Sequence, residues 1–212
     1  MEERHITVTL NKAKEWFNSG NATLKEIALQ AFNEEELKPN FKDITSFRHA
    51  CNALGINYDV IYIVTKDIAI YSRASAAMFK LNIVRKALNL GYDLSLTKNS
   101  ENPHLYYPCN PFVTENSTRW KNALNSGKIE VIGTIKSNGT LYNVLGGSYG
   151  SDCGKDGLGG FCSTENTGYA FADVGFLGCA NQEIAQHFSK YFGMLITEAK
   201  YADMVDIEIH IH

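Results

Sequence analysis

No run of about 18 apolar residues, the length that marks a membrane-spanning helix, occurs anywhere in this chain. The opening MEERHITVTL has neither an apolar h-region nor a small-residue cleavage site. Together these absences predict a protein made in the cytoplasm without a signal peptide and without membrane insertion. The five cysteines, Cys51, Cys109, Cys153, Cys162 and Cys179, are odd in number, widely spaced and free of any CxxC pair. That spacing indicates neither a disulfide framework nor a zinc ribbon and leaves free thiols in a reducing compartment as the expectation. Proline is scarce, and three of the four, Pro103, Pro108 and Pro111, crowd into the stretch between Tyr92 and Trp120, which reads as loop. No internal repeat of about 20 to 50 residues is visible.

Glycine, by contrast, is concentrated. Ten of the 17 glycines fall between Gly146 and Gly178, set among Ser, Tyr, Asp, Cys, Phe, Thr and Asn. Tyr and Phe offer contact area with few torsions to freeze, while Ser, Asn and exposed backbone offer adaptable hydrogen bonds, the chemistry of antibody paratopes. Charge is segregated too: residues 1–60 carry 7 basic and 9 acidic side chains, 61–145 carry 10 and 5, and 146–212 carry 3 and 9. An acidic, Gly-rich third repels a phosphate backbone, so nucleic acid is excluded as its ligand.

Along the chain, the first sixty residues read as small helices behind one strand. Thr23 opens a capping box with Glu26 for a helix over 23–32, and Thr45 to Leu54 forms another, stopped by Gly55. Ala77, Leu81, Val84 and Leu88 predict a helix from Ser72 to Leu90 closed by Gly91, and Phe79, Ile83 and Leu90 give it a second apolar side. Apolar on two sides, it is placed centrally. Its Arg73, Lys80, Arg85 and Lys86 read as solvated, snorkelling charges. After a short helix near 118–125, alternating residues on both sides of Asn138-Gly139 predict a hairpin. Tyr169 to Gly175 reads as a returning strand. Asn181 caps a helix with Ile184, Phe188, Tyr191, Leu195 and Ala199 on one face, and DIEIHIH is a terminal strand. The fold class is therefore α+β: a helical N-terminal subdomain (1–60), then an α+β ligand-binding domain (61–212) whose mixed β region presents the Gly-rich surface.

The chemical motifs fail on inspection. Gly154-Lys155-Asp156 puts an acid where a P-loop needs Ser or Thr, and Gly157-Leu158-Gly159 is followed by cysteine where a dinucleotide fingerprint needs its third glycine. Asp152, Asp156, Glu165, Asn166 and Asp173 could supply calcium oxygens, but their spacing matches no EF-hand and solvated carboxylates are the ordinary reading. Cys179 and His187 are eight apart, and neither they nor His49 with Cys51 make a nucleophile–base pair; Cys153 or Cys162 with His187 stays geometrically open, against the commoner role of cysteine as a small buried apolar residue. No enzyme and no cofactor is expected. The candidate ligand-binding residues are Tyr149, Tyr169 and Phe171 as aromatic anchors, with Ser151, Asp152, Cys162, Thr164 and Asn166 beside them.

LGGSY (145–149), GLGGF (157–161) and ADVGFLGC (172–179) resemble the closing part of a C-type-lectin fold, in particular the variable proteins diversified by retroelements in phages and bacteria. There the pattern carries arginine, tryptophan and arginine where this chain has Leu145, Tyr149 and Leu177. TLKEIALQAF (23–32), FKLNIVRKALNLG (79–91), YYPCNPFVT (106–114) and EIAQHFSKYFGMLITEAKY (183–201) resemble an uncharacterised family of gut Bacteroidales phages and mobile elements. Between Ser148 and Asp173 only Lys155 and Glu165 lie outside what randomised AAY codons can encode. The resemblances imply a hypervariable binding protein of phage origin that takes a protein or glycan ligand of a bacterial host, as a homo-oligomer or a virion component. The alternative is an intracellular accessory protein that binds a host protein through its helical part, with the Gly-rich stretch purely structural.

Overall fold

A computed structural model describes residues 7–19, 21–38, 40–92, 105–108, 110, 112–114, 124–125, 127, 129–147, 161–164 and 177–211. Seven α-helices are described: α1 (Leu10–Asn18), α2 (Ala22–Ala31), α3 (Glu34–Leu37), α4 (Phe47–Ala53), α5 (Tyr58–Tyr71), α6 (Arg73–Leu88) and α7 (Gln182–Tyr201). Six strands accompany them: β1 (Leu105–Pro108), β2 (Phe112–Val113), β3 (Ile129–Ser137), β4 (Thr140–Gly147), β5 (Phe161–Thr164) and β6 (Ile207–Ile211). The chain is thus α+β, helical first and with its strands later.

The helices begin where short polar side chains can take up free N–H groups. Thr9 caps α1, with its hydroxyl accepting from Lys12 N at 3.3 Å, so residues 7–9 lead into a helix rather than a strand. Asn21, not Thr23, caps α2, accepting from Leu24 N at 3.2 Å. Ser46, not Thr45, caps α4, while Gly55, at φ +66°, takes the left-handed position that ends it. The helices α1 to α3 share a satellite cluster of Ala13, Ala28 and Leu37 with Trp16 and Phe32. Residue 60 lies inside α5, and residues on both sides of it pack on one core.

That core is built on α6 and α7. Ala77, Leu81, Val84 and Leu88 are all buried, as their spacing predicts, whereas Phe79 and Leu90 stay at the surface. Asp203 closes the N-terminus of α6, accepting from Arg73 N at 2.9 Å, Ala74 N at 3.3 Å and the Ser72 hydroxyl at 2.5 Å. The Ser72 hydroxyl above all holds its carboxyl below the usual range, and a carboxylate suits the positive end of a helix. On α7, Ile184, Phe188, Phe192 and Ile196 enter the helical core. Tyr191 is exposed and Leu195 only half-buried, so the buried stripe is rotated from the one predicted. The rotation has a cause: α7 also lies against the sheet, and Met194 packs there with Ile135 and Val144.

The four-stranded sheet runs β2-β4-β3-β6, antiparallel throughout, and β1 pairs separately with β5. Asn138 (φ 49°) and Gly139 (φ 77°) make the left-handed two-residue turn that the β3–β4 hairpin requires. A bulge between Val131 and Gly133 leaves Ile132 unpaired and turns it towards α7. The stretch from Tyr92 to Trp120, expected to be loop, contains β1 and β2. Pro108 ends β1 opposite Phe161, on a two-stranded ribbon where a missing N–H is tolerated.

Candidate functional site

The Gly-rich segment leaves the hairpin at Gly146 and Gly147, which pair with Glu130 and Ile129. A Cβ on Gly146 would meet Ile132 Cγ2 at 2.8 Å and the Ser189 carbonyl at 3.0 Å, so glycine is what lets β4 approach α7 this closely. Asn110, just before β2, is wedged into the same junction. Its Nδ2 donates to the Leu145 carbonyl at 2.9 Å, the Ser189 carbonyl at 3.0 Å and the Ser189 hydroxyl at 3.1 Å. A Cβ on Gly193 would collide with that Nδ2 and meet Ile132 Cδ1 at 2.5 Å. One amide group therefore ties the end of β4 to the middle of α7. Its Oδ1 is buried without a partner among the described residues.

Part-way along, the segment returns as β5, whose residues pair with β1: Cys162 stands opposite Tyr107 and Thr164 opposite Leu105. At the exit a second asparagine takes over. Asn89, the C-terminal cap of α6 and 5% exposed, donates from Nδ2 to the Arg85 carbonyl at 2.8 Å and the Gly178 carbonyl at 3.3 Å, and its Oδ1 accepts from Ala180 N at 2.8 Å. Arg85 Nε adds a hydrogen bond to the Gly178 carbonyl at 3.2 Å. Arg85 is therefore part of the scaffold and not merely a solvated charge. Leu177 and Cys179 sit in the core beside it.

Of the predicted ligand-binding residues, Tyr149, Ser151, Asp152, Asn166, Tyr169 and Phe171 lie outside the described residues. So do the calcium candidates Asp156, Glu165 and Asp173 and the returning strand 169–175. Cys162 and Thr164 are placed by their backbone register alone. Asn89, Asn110 and Ser189 carry the frame, and the sequence reading gives them no role. The one local signal is Asn110-Pro111, a turn dipeptide.

The thiol chemistry is weakened further by burial. The Cys179 thiol is pushed up to about 12, Cys51 is raised by the same cause, and a thiol kept protonated is a poor nucleophile. His187 is held elsewhere: its Nε2 lies 2.9 Å from the Ile44 carbonyl, its ring meets Phe41 edge-on, and burial lowers its pKa. Among the described residues no three His, Cys, Asp or Glu side chains converge on a metal position. No helix among them is long and apolar enough to cross a membrane.

An open cleft of about 510 Å³ lies between Lys38, Asn40, Phe41 and Lys42 on one side and Leu88, Leu90, Gly91 and Tyr92 on the other. Its cations are engaged locally, Lys38 with Glu34 at 3.9 Å and Lys42 with Glu183 at 3.4 Å. Among the described residues it therefore lacks a convergent charged set. The chain matches no protein-family model, no curated protein and no solved structure.

Proposed function

We propose that this protein is a non-enzymatic ligand-binding protein of phage or mobile-element origin, which uses residues 148–160 and 165–176 to recognise a protein or glycan on a bacterial host. One observation carries the reading: the Gly-rich segment is fastened at its entry by Asn110, at its middle by the β1–β5 pairing and at its exit by Asn89. Binding residues are commonly carried on loops positioned by a rigid scaffold, and the runs between these fastenings have paratope-like composition. The acidic character of this third favours a neutral or cationic ligand over nucleic acid. As a component of a virion, such a protein would serve adhesion or receptor recognition.

Tyr149→Ala combined with Tyr169→Ala tests the assignment. Aromatic anchors at the centre of a contact commonly carry about 2 kcal/mol or more each, whereas exposed tyrosines add little to a core. The double variant is expected to lose binding to host envelope fractions and surface glycans while melting within about 2 °C of wild type. If wild type instead ignores envelopes and captures a host cytoplasmic protein through residues 1–60, the accessory-protein reading replaces this one.

A further inference from the structure

Helix α5 is apolar on two faces, yet among the described residues only one is covered. Thr65 is buried on the side facing the protein, and Ile61 packs on the main core. Tyr58 and Tyr62 stack at 5.7 Å, capped by the Arg48 guanidinium 3.9 Å above Tyr58 and the Lys66 ammonium 5.0 Å above Tyr62. The opposite face carries Val60, Ile63, Asp67 and Ile70, with Val64 and Tyr71 beside them. Its five apolar members are all exposed, Ile70 at 76% and Tyr71 at 91%. The spacing of three, four and three residues is that of the a and d positions of a coiled-coil seam. A seam of large apolar side chains left in water on one helix marks an interaction surface.

We propose that this face is the interface with a second copy of the chain, the two α5 helices packing antiparallel about a two-fold axis. The argument for a second copy is charge complementarity. Asp67 is the one charged residue within the seam, and among the described residues it has no ion-pair partner. Lys66 adjoins it in sequence, but neighbours one apart on a helix do not face each other, so Lys66 cannot serve Asp67 within one copy. A two-fold axis level with residue 65 sets Val60 of each copy against Ile70 of the other and Ile63 against the Asp67 stem. It also brings each Lys66, which stands between the seam and the Tyr62 ring, towards the other copy's Asp67, the ammonium exchanging the ring for that carboxylate in the dimer. The interface is self-complementary, as a two-fold contact must be. An unrelated apolar partner helix would leave Asp67 desolvated and unpaired.

Size sets the strength. A 14-residue helix is about 21 Å long at 1.5 Å per residue. One such seam offers roughly half of the ~800 Å² per partner of a standard interface. The dimer is therefore weak and forms with rising concentration.

Sedimentation equilibrium of the full chain from about 1 to 300 µM, spanning the range where so small an interface dissociates, reads this directly. Wild type is expected to pass from monomer to dimer and no further. Ile63→Glu with Ile70→Glu is expected to raise the dissociation constant at least about 100-fold, with far-UV circular dichroism unchanged because both side chains are exposed. Asp67→Lys alone should weaken the dimer about tenfold, and Lys66→Asp with Asp67→Lys should restore it to within about threefold by exchanging the two charges. A wild type monomeric throughout the range overturns the proposal. So does a dimer that Ile63→Glu with Ile70→Glu leaves intact, or an exchanged pair no tighter than Asp67→Lys alone.

Discussion

Phe188→Ala is expected to cost the fold about 3–5 kcal/mol, the range for deleting a fully buried aromatic ring. Phe188 is 0% exposed in the middle of α7, meets Phe192 edge-on at 5.9 Å and shares the main core with Leu81, Val84, Leu88 and Ile184. The helix cannot slide to refill the space, because its other side is held at Gly193 and Met194 against the sheet. Leu195→Ala, at a half-buried position on the same helix, should cost less, and Asp152→Ala, which the sequence alone reads as a solvated carboxylate, should stay within about 0.5 kcal/mol. Urea titrations of the three variants give the order. A Phe188 midpoint no lower than that of Leu195→Ala would show that the buried face of α7 is misplaced.

The second large effect is expected at Asn89→Leu. The change keeps the side-chain volume roughly constant but removes the group that holds Gly178 and Ala180 to α6. Ala180 N–H loses its acceptor outright, while the Gly178 carbonyl keeps Arg85 Nε at 3.2 Å. An unsatisfied buried group costs about 1–3 kcal/mol, so a total of roughly 2–4 kcal/mol follows, with part of the loss confined to the exit of the Gly-rich segment. Amide exchange separates the local from the global share: the Ala180 amide should lose protection by a larger factor than amides in the centre of α6. Equal loss at both places would mean that Asn89 merely fills space.

These two residues mark what sequence reasoning can and cannot reach. Asn138-Gly139, the cap at Asn181 and the α6 stripe are local signals, since turn chemistry and helical period act over a few residues, and the structure carries all three. In helix α5 the local signals conflict, a cap at Asn57 and a helical spacing set against a β-branched composition. Val60, Ile61, Ile63, Val64, Thr65, Ile68 and Ile70 are β-branched, which lowers helix propensity, and packing against α6 and the cap at Asn57 override that preference. The leading ITVTL alternates like a strand, yet Thr9 turns it into a helix start. The rotation of the α7 stripe and the bulge at Ile132 arise only once helix and sheet meet. Asn110 reaches Ser189 across 79 residues and Asn89 reaches Ala180 across 91, distances at which no pattern in the chain reports a contact. The candidate site rests on composition alone, and the asparagine contacts on either side of it have no signal in the sequence.

The most direct test of that account exchanges Ser148–Gly160, Tyr149 included, for a Gly-Ser stretch of equal length, leaving Gly146, Gly147, β5 and the Asn89 junction untouched. Binding of wild type and exchanged protein to bacterial envelope fractions and a surface-glycan array is titrated alongside their melting curves. The account predicts that the exchanged chain melts within about 2 °C of wild type, as changes outside the packed core do, and that its binding falls by about 100-fold or more through loss of the contact residues. Undiminished binding, or a melting temperature lowered as far as by Phe188→Ala, would contradict it, since the segment would then belong to the scaffold rather than to the site.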